Sequence, residues 1–151
     1  LHFMQSSQNK HQFMIQRIQT IYLLLVSIAC IAFIFIPFGI ATSAEGIAET
    51  VAAKQVIPIM ATSIVIAIIS LISIFMFSNR KKQMKVVLIN IILSLVLIGI
   101  LIFGITQHIG IANYSFKIGS ILPIFILLFN MLAYGSIKSD EQLVRSMDRL
   151  R

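Results

Sequence analysis

The chain has 151 residues, of which 58% are apolar and 11% charged, with a net charge of +7 and a mean hydropathy of +0.98. The charged fraction is about half that of a water-soluble domain, and a single core of this size would leave a large apolar surface facing water. A soluble globular domain is therefore excluded, and a bilayer is the solvent that such a chain requires.

The first thirteen residues, LHFMQSSQNKHQF, are polar and aperiodic and precede Met14. They read as a disordered tail or an upstream-start extension, leaving residues 14–151 as one integral membrane domain. Residues 18–44, 55–79, 86–116 and 118–137 then carry no Asp, Glu, Lys or Arg. Each is long enough for the roughly 20 residues that cross a bilayer as a helix. The predicted fold class is an all-α membrane protein with four transmembrane helices at about 21–40, 58–77, 86–106 and 118–137. Helices are expected because an open strand would leave backbone groups unpaired in lipid. The first run ends in FGIATSAEG, which has the small residues of a signal-peptidase site. At about 20 residues it exceeds the apolar core of a signal peptide, so it reads as a span.

Loop one, Ala41 to Ile57, suits either a short surface helix, with Ile47 and Val51 on one side, or an outward hairpin tip. Loop three, Gln107 to Lys117, holds Gly110, Asn113 and Tyr114, which suit a turn with an interfacial aromatic. The steps KQVIPIM and KIGSILPIF lead into the second and fourth helices. They fit an ancestral two-helix duplication, or simply the welcome that proline finds in a helix's first turn. After the last span, SIKSDEQLVRSMDRLR starts with Ser139 and places Gln142 three residues on, a capping-box pattern. A short amphipathic cytoplasmic helix is predicted there, with Glu141 and Arg145 spaced to pair and Leu143, Met147 and Leu150 on one face, lying on the membrane surface or against a partner.

Charge sets the orientation. Lys and Arg number 2 before the first span, 1 in loop one, 4 in loop two, 1 in loop three and 4 after the last span. The four in loop two are Arg80, Lys81, Lys82 and Lys85, within NRKKQMK. The positive-inside rule places that loop and both termini in the cytoplasm. Anionic lipid headgroups are the expected partners of this basic side, at about 1 kcal/mol per residue. Nucleic acid is not, because the positive charge is sorted by membrane side and no recognition motif accompanies it.

Few residues promise chemistry. No span has an ionised group at its centre, which disfavours proton-coupled transport. His2, His11 and His108 fall on opposite membrane sides and cannot share a metal ion, and Cys30 is alone within a span. No catalytic set, cofactor motif or metal motif is present in the sequence, so an enzyme is not expected. The polar residues that do occur concern packing. Ser63, Ala67, Ser70 and Ser73 form a stripe of small residues on the second helix, which lets another helix approach closely. Asn90 lies on the third helix, Asn130 and Tyr134 on the fourth, and all three should turn inward as hydrogen-bonding groups or as a polar ligand site.

Two terminal stretches, MIQRIQTIYLLL from Met14 and IKSDEQLVRSMDRLR from Ile137, are the most distinctive. With NRKKQMKVVLIN between them, they resemble a bacterial family of small four-span inner-membrane proteins known as a domain of unknown function. The resemblance covers Met14 to Arg151 and implies four helices in the inner membrane, with no activity or cofactor. It also directs attention to one cytoplasmic face, where Arg17 is expected near Asp140, Glu141, Arg145, Asp148 and Arg149. The small-residue stripe and the paucity of other functional chemistry point to a non-enzymatic interaction or assembly protein, as a homo-oligomer or with a membrane-protein partner; the alternative is a small transporter or lipophilic-ligand binder using Asn90, Asn130 and Tyr134.

Overall fold

The computed structural model of the protein describes residues 2–109 and 113–150, with side chains from 18–107 and 113–150. Helix α1 spans His2–Phe35, α2 Ile57–Phe75, α3 Arg80–Gly104 and α4 Leu122–Arg149. All four are long and apolar enough to cross a membrane. Each helix packs on its neighbours in sequence, and α4 closes the ring against α1. The bundle is thus antiparallel, with the start of α1, the α2–α3 turn and the end of α4 at one end, here the basic end. The helix of α1 runs through residues 2–13, the stretch whose polarity suggested a tail.

The four long helices are α-helices as expected, but the other end of the bundle departs from the all-α prediction. Strands β1 (Gly39–Thr42), β2 (Ala48–Val51) and β3 (Tyr114–Phe116) form an antiparallel sheet in the order β2-β1-β3. Gly39 lies opposite Val51 on one side and Phe116 on the other. The first span is consequently shorter than the predicted 21–40. Pro37 disfavours helical geometry at Ile36, whose N–H makes the last helical bond to the Ala32 carbonyl at 2.8 Å. Released from the helix, the chain turns into β1. Of the two forms open to loop one, the structure takes the hairpin, turning at Gly46 with φ +81°.

This sheet is sealed onto the bundle by one aromatic group. The Tyr114 hydroxyl donates to the Phe38 carbonyl at 3.0 Å, and burial raises the phenol above its ordinary pKa, so it stays a donor. Phe38 in turn lies 5.7 Å from Phe33, ring centre to ring centre. Two glycines permit the closure: a Cβ on Gly39 would fall on the Tyr114 ring, and one on Gly119 would lie 2.5 Å from the Pro37 carbonyl oxygen.

The basic end also differs from the sequence reading. The connection between α2 and α3 is only the turn at 76–79, so Arg80, Lys81, Lys82 and Lys85 lie in the opening turns of α3 rather than in a loop. Asn79 caps that helix, its side chain accepting from the Lys82 N–H at 3.2 Å. The expected separate C-terminal helix is instead the continuation of α4, in which Ser139 is an interior residue. A cap pattern marks a start only where a helix must nucleate, and a helix already running extends more cheaply than a new one begins. At 28 residues, α4 is about 42 Å long, some 12 Å more than the hydrocarbon layer.

Two glycine substitutions test how the sheet end is closed. Gly119→Ala should destabilise the protein by about 1–3 kcal/mol, because the Pro37 backbone cannot yield as a side chain would. Gly99→Ala, on a helix face with nothing within 4 Å of the new methyl, should stabilise by about 0.5–1 kcal/mol. Thermal unfolding in detergent measures both.

Candidate functional site

Each helix turns one heptad-spaced row into the bundle. The rows are Gln19, Leu23, Val26, Cys30 and Phe33 on α1 and Ile59, Ser63, Ile66, Ser70 and Ser73 on α2. On α3 they are Gln83, Val87, Asn90, Ser94, Leu97 and Leu101; on α4, Pro123, Ile126, Asn130, Ala133, Ile137 and Asp140. Alternating steps of three and four residues give the 3.5-residue period of helices packed side by side. The outward faces are the greasier ones: on α2, Ile64, Val65, Ile68, Leu71 and Ile72 are exposed while Ser63, Ser70 and Ser73 are fully buried. In a membrane this inversion is the stable choice, since lipid accepts the apolar side chains and cannot satisfy the polar ones.

The small-residue stripe Ser63, Ala67, Ser70 and Ser73 therefore faces the interior and is consumed by packing within the chain. Ser63 and Ser73 donate back to their own helix, to Ile59 and Ile69 carbonyls at 2.8 Å. Ser27 on α1 lies 3.4 Å from the Ala67 carbonyl, the close approach that small residues permit.

Midway along the bundle, three helices meet through side-chain hydrogen bonds. The Asn90 amide donates to Ser70 Oγ at 2.7 Å and to Asn130 Oδ1 at 3.1 Å. The Asn130 amide donates to Ser94 Oγ at 3.0 Å, and Ser94 donates to the Asn90 carbonyl at 2.8 Å. Asn90 and Asn130 thus come together. Tyr134 does not join them: it packs half-buried against the apolar layer of Leu23, Val87, Ala133 and Ile137, one turn nearer the basic end.

Beyond that layer lies a second polar one. Gln19, Gln83 and Asp140 are at most 4% exposed, and each is one helical turn past Leu23, Val87 or Ile137. The Gln83 amide donates to the Ser73 carbonyl at 2.9 Å, tying α3 to the end of α2. Asp140 is held by Arg80, whose Nε lies 2.9 Å from Oδ2. This carboxylate faces Arg80 on the adjacent helix; the side chain of Arg17, the expected partner, lies outside the described residues, as do those of His2, His11 and His108. Glu141 and Arg145 pair along α4 at 3.1 Å. Asp148 and Arg149 are exposed.

Arg80, Lys81 and Arg145 line a cleft of about 580 Å³ with Asn79, Glu141 and Asp148. Lys82 and Lys85 are exposed beside it. Basic side chains at a helix start oppose the helix dipole, so the acidic residues of α4 offset a local excess of positive charge. Among the described residues no His, Cys, Asp and Glu group is placed to hold a metal ion. The burial of Gln19 and Gln83 escaped the reading by composition, although their spacing of four from Leu23 and Val87 puts them on the inward row.

A family described as a domain of unknown function, DUF4293, matches residues 15–150. The chain belongs to that family. No curated protein and no solved structure matches the chain.

Removing one member of the Arg80–Asp140 pair strands a buried charge. Arg80→Ala should cost about 2–3 kcal/mol, less than for a fully enclosed pair, because the arginine keeps 23% of its exposure; Arg80→Ala/Asp140→Leu should regain most of it, measured by chemical denaturation in detergent. At mid-bundle, a double-mutant cycle of Asn90→Ala and Asn130→Ala should give a coupling of about 0.6–1.7 kcal/mol.

Proposed function

We propose that the protein is a non-enzymatic interaction or assembly protein of a bacterial inner membrane, with both termini in the cytoplasm. The observation that carries this reading is the unbroken passage of α4 past the buried Asp140 layer. Beyond it, Leu143, Met147 and Leu150 recur at i, i+4 and i+7 and are 53%, 39% and 89% exposed. On the spans, exposed apolar side chains are covered by lipid. These three follow Lys138 and Asp140 and project where hydrocarbon no longer reaches, so a protein surface is their natural cover. The charge count by flank supports the orientation, and the exposed Lys81, Lys82 and Lys85 suit anionic headgroups beside the partner.

The alternative reading, a small transporter or lipophilic-ligand binder, is favoured by the enclosed Ser70, Asn90, Ser94 and Asn130 set, since polar side chains at mid-membrane are where transported solutes bind.

Photo-crosslinking in cells separates these. A crosslinker at Met147 should give a discrete protein adduct, either a second copy or another membrane protein, while one at Leu128, on the lipid-facing middle of α4, should give none. Absence of any protein adduct at both Met147 and Leu150 would defeat the interaction reading.

A further inference from the structure

Four inward-facing side chains form the polar layer at the basic end: Gln19 from α1, Ser73 from α2, Gln83 from α3 and Asp140 from α4, all at most 4% exposed. Two of them are engaged. Asp140 is closed off by Arg80, and Ser73 donates to the Ile69 carbonyl at 2.8 Å. The glutamines are not. The Gln83 amide nitrogen donates to the Ser73 carbonyl at 2.9 Å, which fixes the orientation of the group and turns Oε1 away from α2. Neither that oxygen nor Gln19 Nε2 has a hydrogen-bond partner among the described residues.

A buried polar atom left unpaired costs about 1–3 kcal/mol, and neighbouring hydrocarbon cannot relieve it. The two orphans are of opposite kind, a donor on α1 and an acceptor on α3. Because α1 and α3 stand diagonally in the ring of helices, their amides approach the axis from opposite sides, and a direct bond would have to cross the bundle. A small molecule that both accepts and donates spans such a gap. Water does so, accepting from Gln19 Nε2 and donating to Gln83 Oε1, which supplies the two partners that a buried water needs at least. Ser73 and Asp140 are short, which leaves space between the longer glutamines. A cation would meet the Gln19 N–H groups, and an anion the Gln83 oxygen and the Asp140 carboxylate.

The middle of the bundle provides the contrast. Asn90 Oδ1 is also unpartnered, but the amides and hydroxyls around it are bonded to one another. A water there would lack its second partner.

We propose that the basic-end layer binds a water molecule between Gln19 Nε2 and Gln83 Oε1. At this end α1 is then tied to the hydrogen-bonded set of α2, α3 and α4 through a solvent molecule that exchanges, a joint that opens and closes without breaking a bond within the protein. The site stands apart from the docking face proposed above, and its test does not depend on that reading.

The isotopically labelled full-length protein, in vesicles of phosphatidylethanolamine and phosphatidylglycerol, is studied by water-edited solid-state NMR, which times the passage of magnetisation from water to each side-chain amide. The Gln19 and Gln83 amides should respond about threefold faster or more than the Asn130 amide, which is equally enclosed and bonded within the protein. Gln19→Met keeps the length of the side chain and removes the donor. The Gln83 amide should then slow to the Asn130 rate. Should Gln19→Met fail to fold, the rates in the unaltered protein decide alone. Equal rates at Gln19, Gln83 and Asn130, a direct contact between the two glutamine amides, or a Gln83 rate indifferent to Gln19→Met would each overturn the proposal.

Discussion

Hydrocarbon offers no hydrogen bond, and in this protein that constraint fixes the rotation of α2, α3 and α4 about their own axes. With 58% apolar residues, hydrophobicity alone cannot choose an inward face, because Ile and Leu are content on either side. The few polar side chains make the choice. The side-chain amides of Asn90 on α3 and Asn130 on α4 find their partners in each other and in Ser70 on α2 and Ser94 on α3, so these helices turn until they meet. The apolar layers above and below then follow from the heptad period. Amides at buried seam positions commonly set register at some expense in stability, and the mid-bundle network is placed to do that here.

The same logic governs the basic end with charge in place of amides. Asp140 is drawn inward by its heptad position and is tolerable there only because Arg80 arrives from the start of α3. The pair converts the basic turn from a bare topology signal into a structural contact. It also explains why α4 remains helical beyond the membrane: its next residues, Glu141 to Asp148, continue to face the start of α3 across the charged cleft.

The spans were legible in the sequence because the penalty for an ionised group in lipid is large enough to clear charges from each of them. The inward residues Asn90 and Asn130 were legible for the same reason. What escaped has a common cause, the dependence on partners distant in sequence. Strand β1 is four residues long and pairs with β3 from the far end of α3; no periodicity survives in so short a run. Ser139 and Gln142 carry a local start signal that an existing helix overrides. Arg80 and Asp140 were each visible, but their pairing required knowing that α3 and α4 are neighbours. Tyr134 shows the converse: spaced four residues from Asn130, it shares that face of α4 only approximately, and the drift of the row places it against Leu23 and Ile137 instead.

The two ends of the bundle are held by different kinds of bond, and this bears on where the molecule can change shape. At the sheet end the backbone itself is stitched across elements: Phe38 N–H to the Val51 carbonyl at 2.9 Å, Lys117 N–H to the Phe38 carbonyl at 3.0 Å, and the β1 ladder on both sides. At the basic end, among the described residues, α1 and α4 are joined to the rest by side chains, and α2 meets α3 through a short turn. Opening the sheet end would break many backbone bonds together, whereas parting α1 from α4 at the basic end disturbs, among the described residues, the side-chain layer of Gln19 and Asp140. Local opening concentrates where such cross-links are few. The charged cleft and the exposed apolar face of α4 both lie at that end, so a molecule bound at either would act on the part of the bundle that yields most easily.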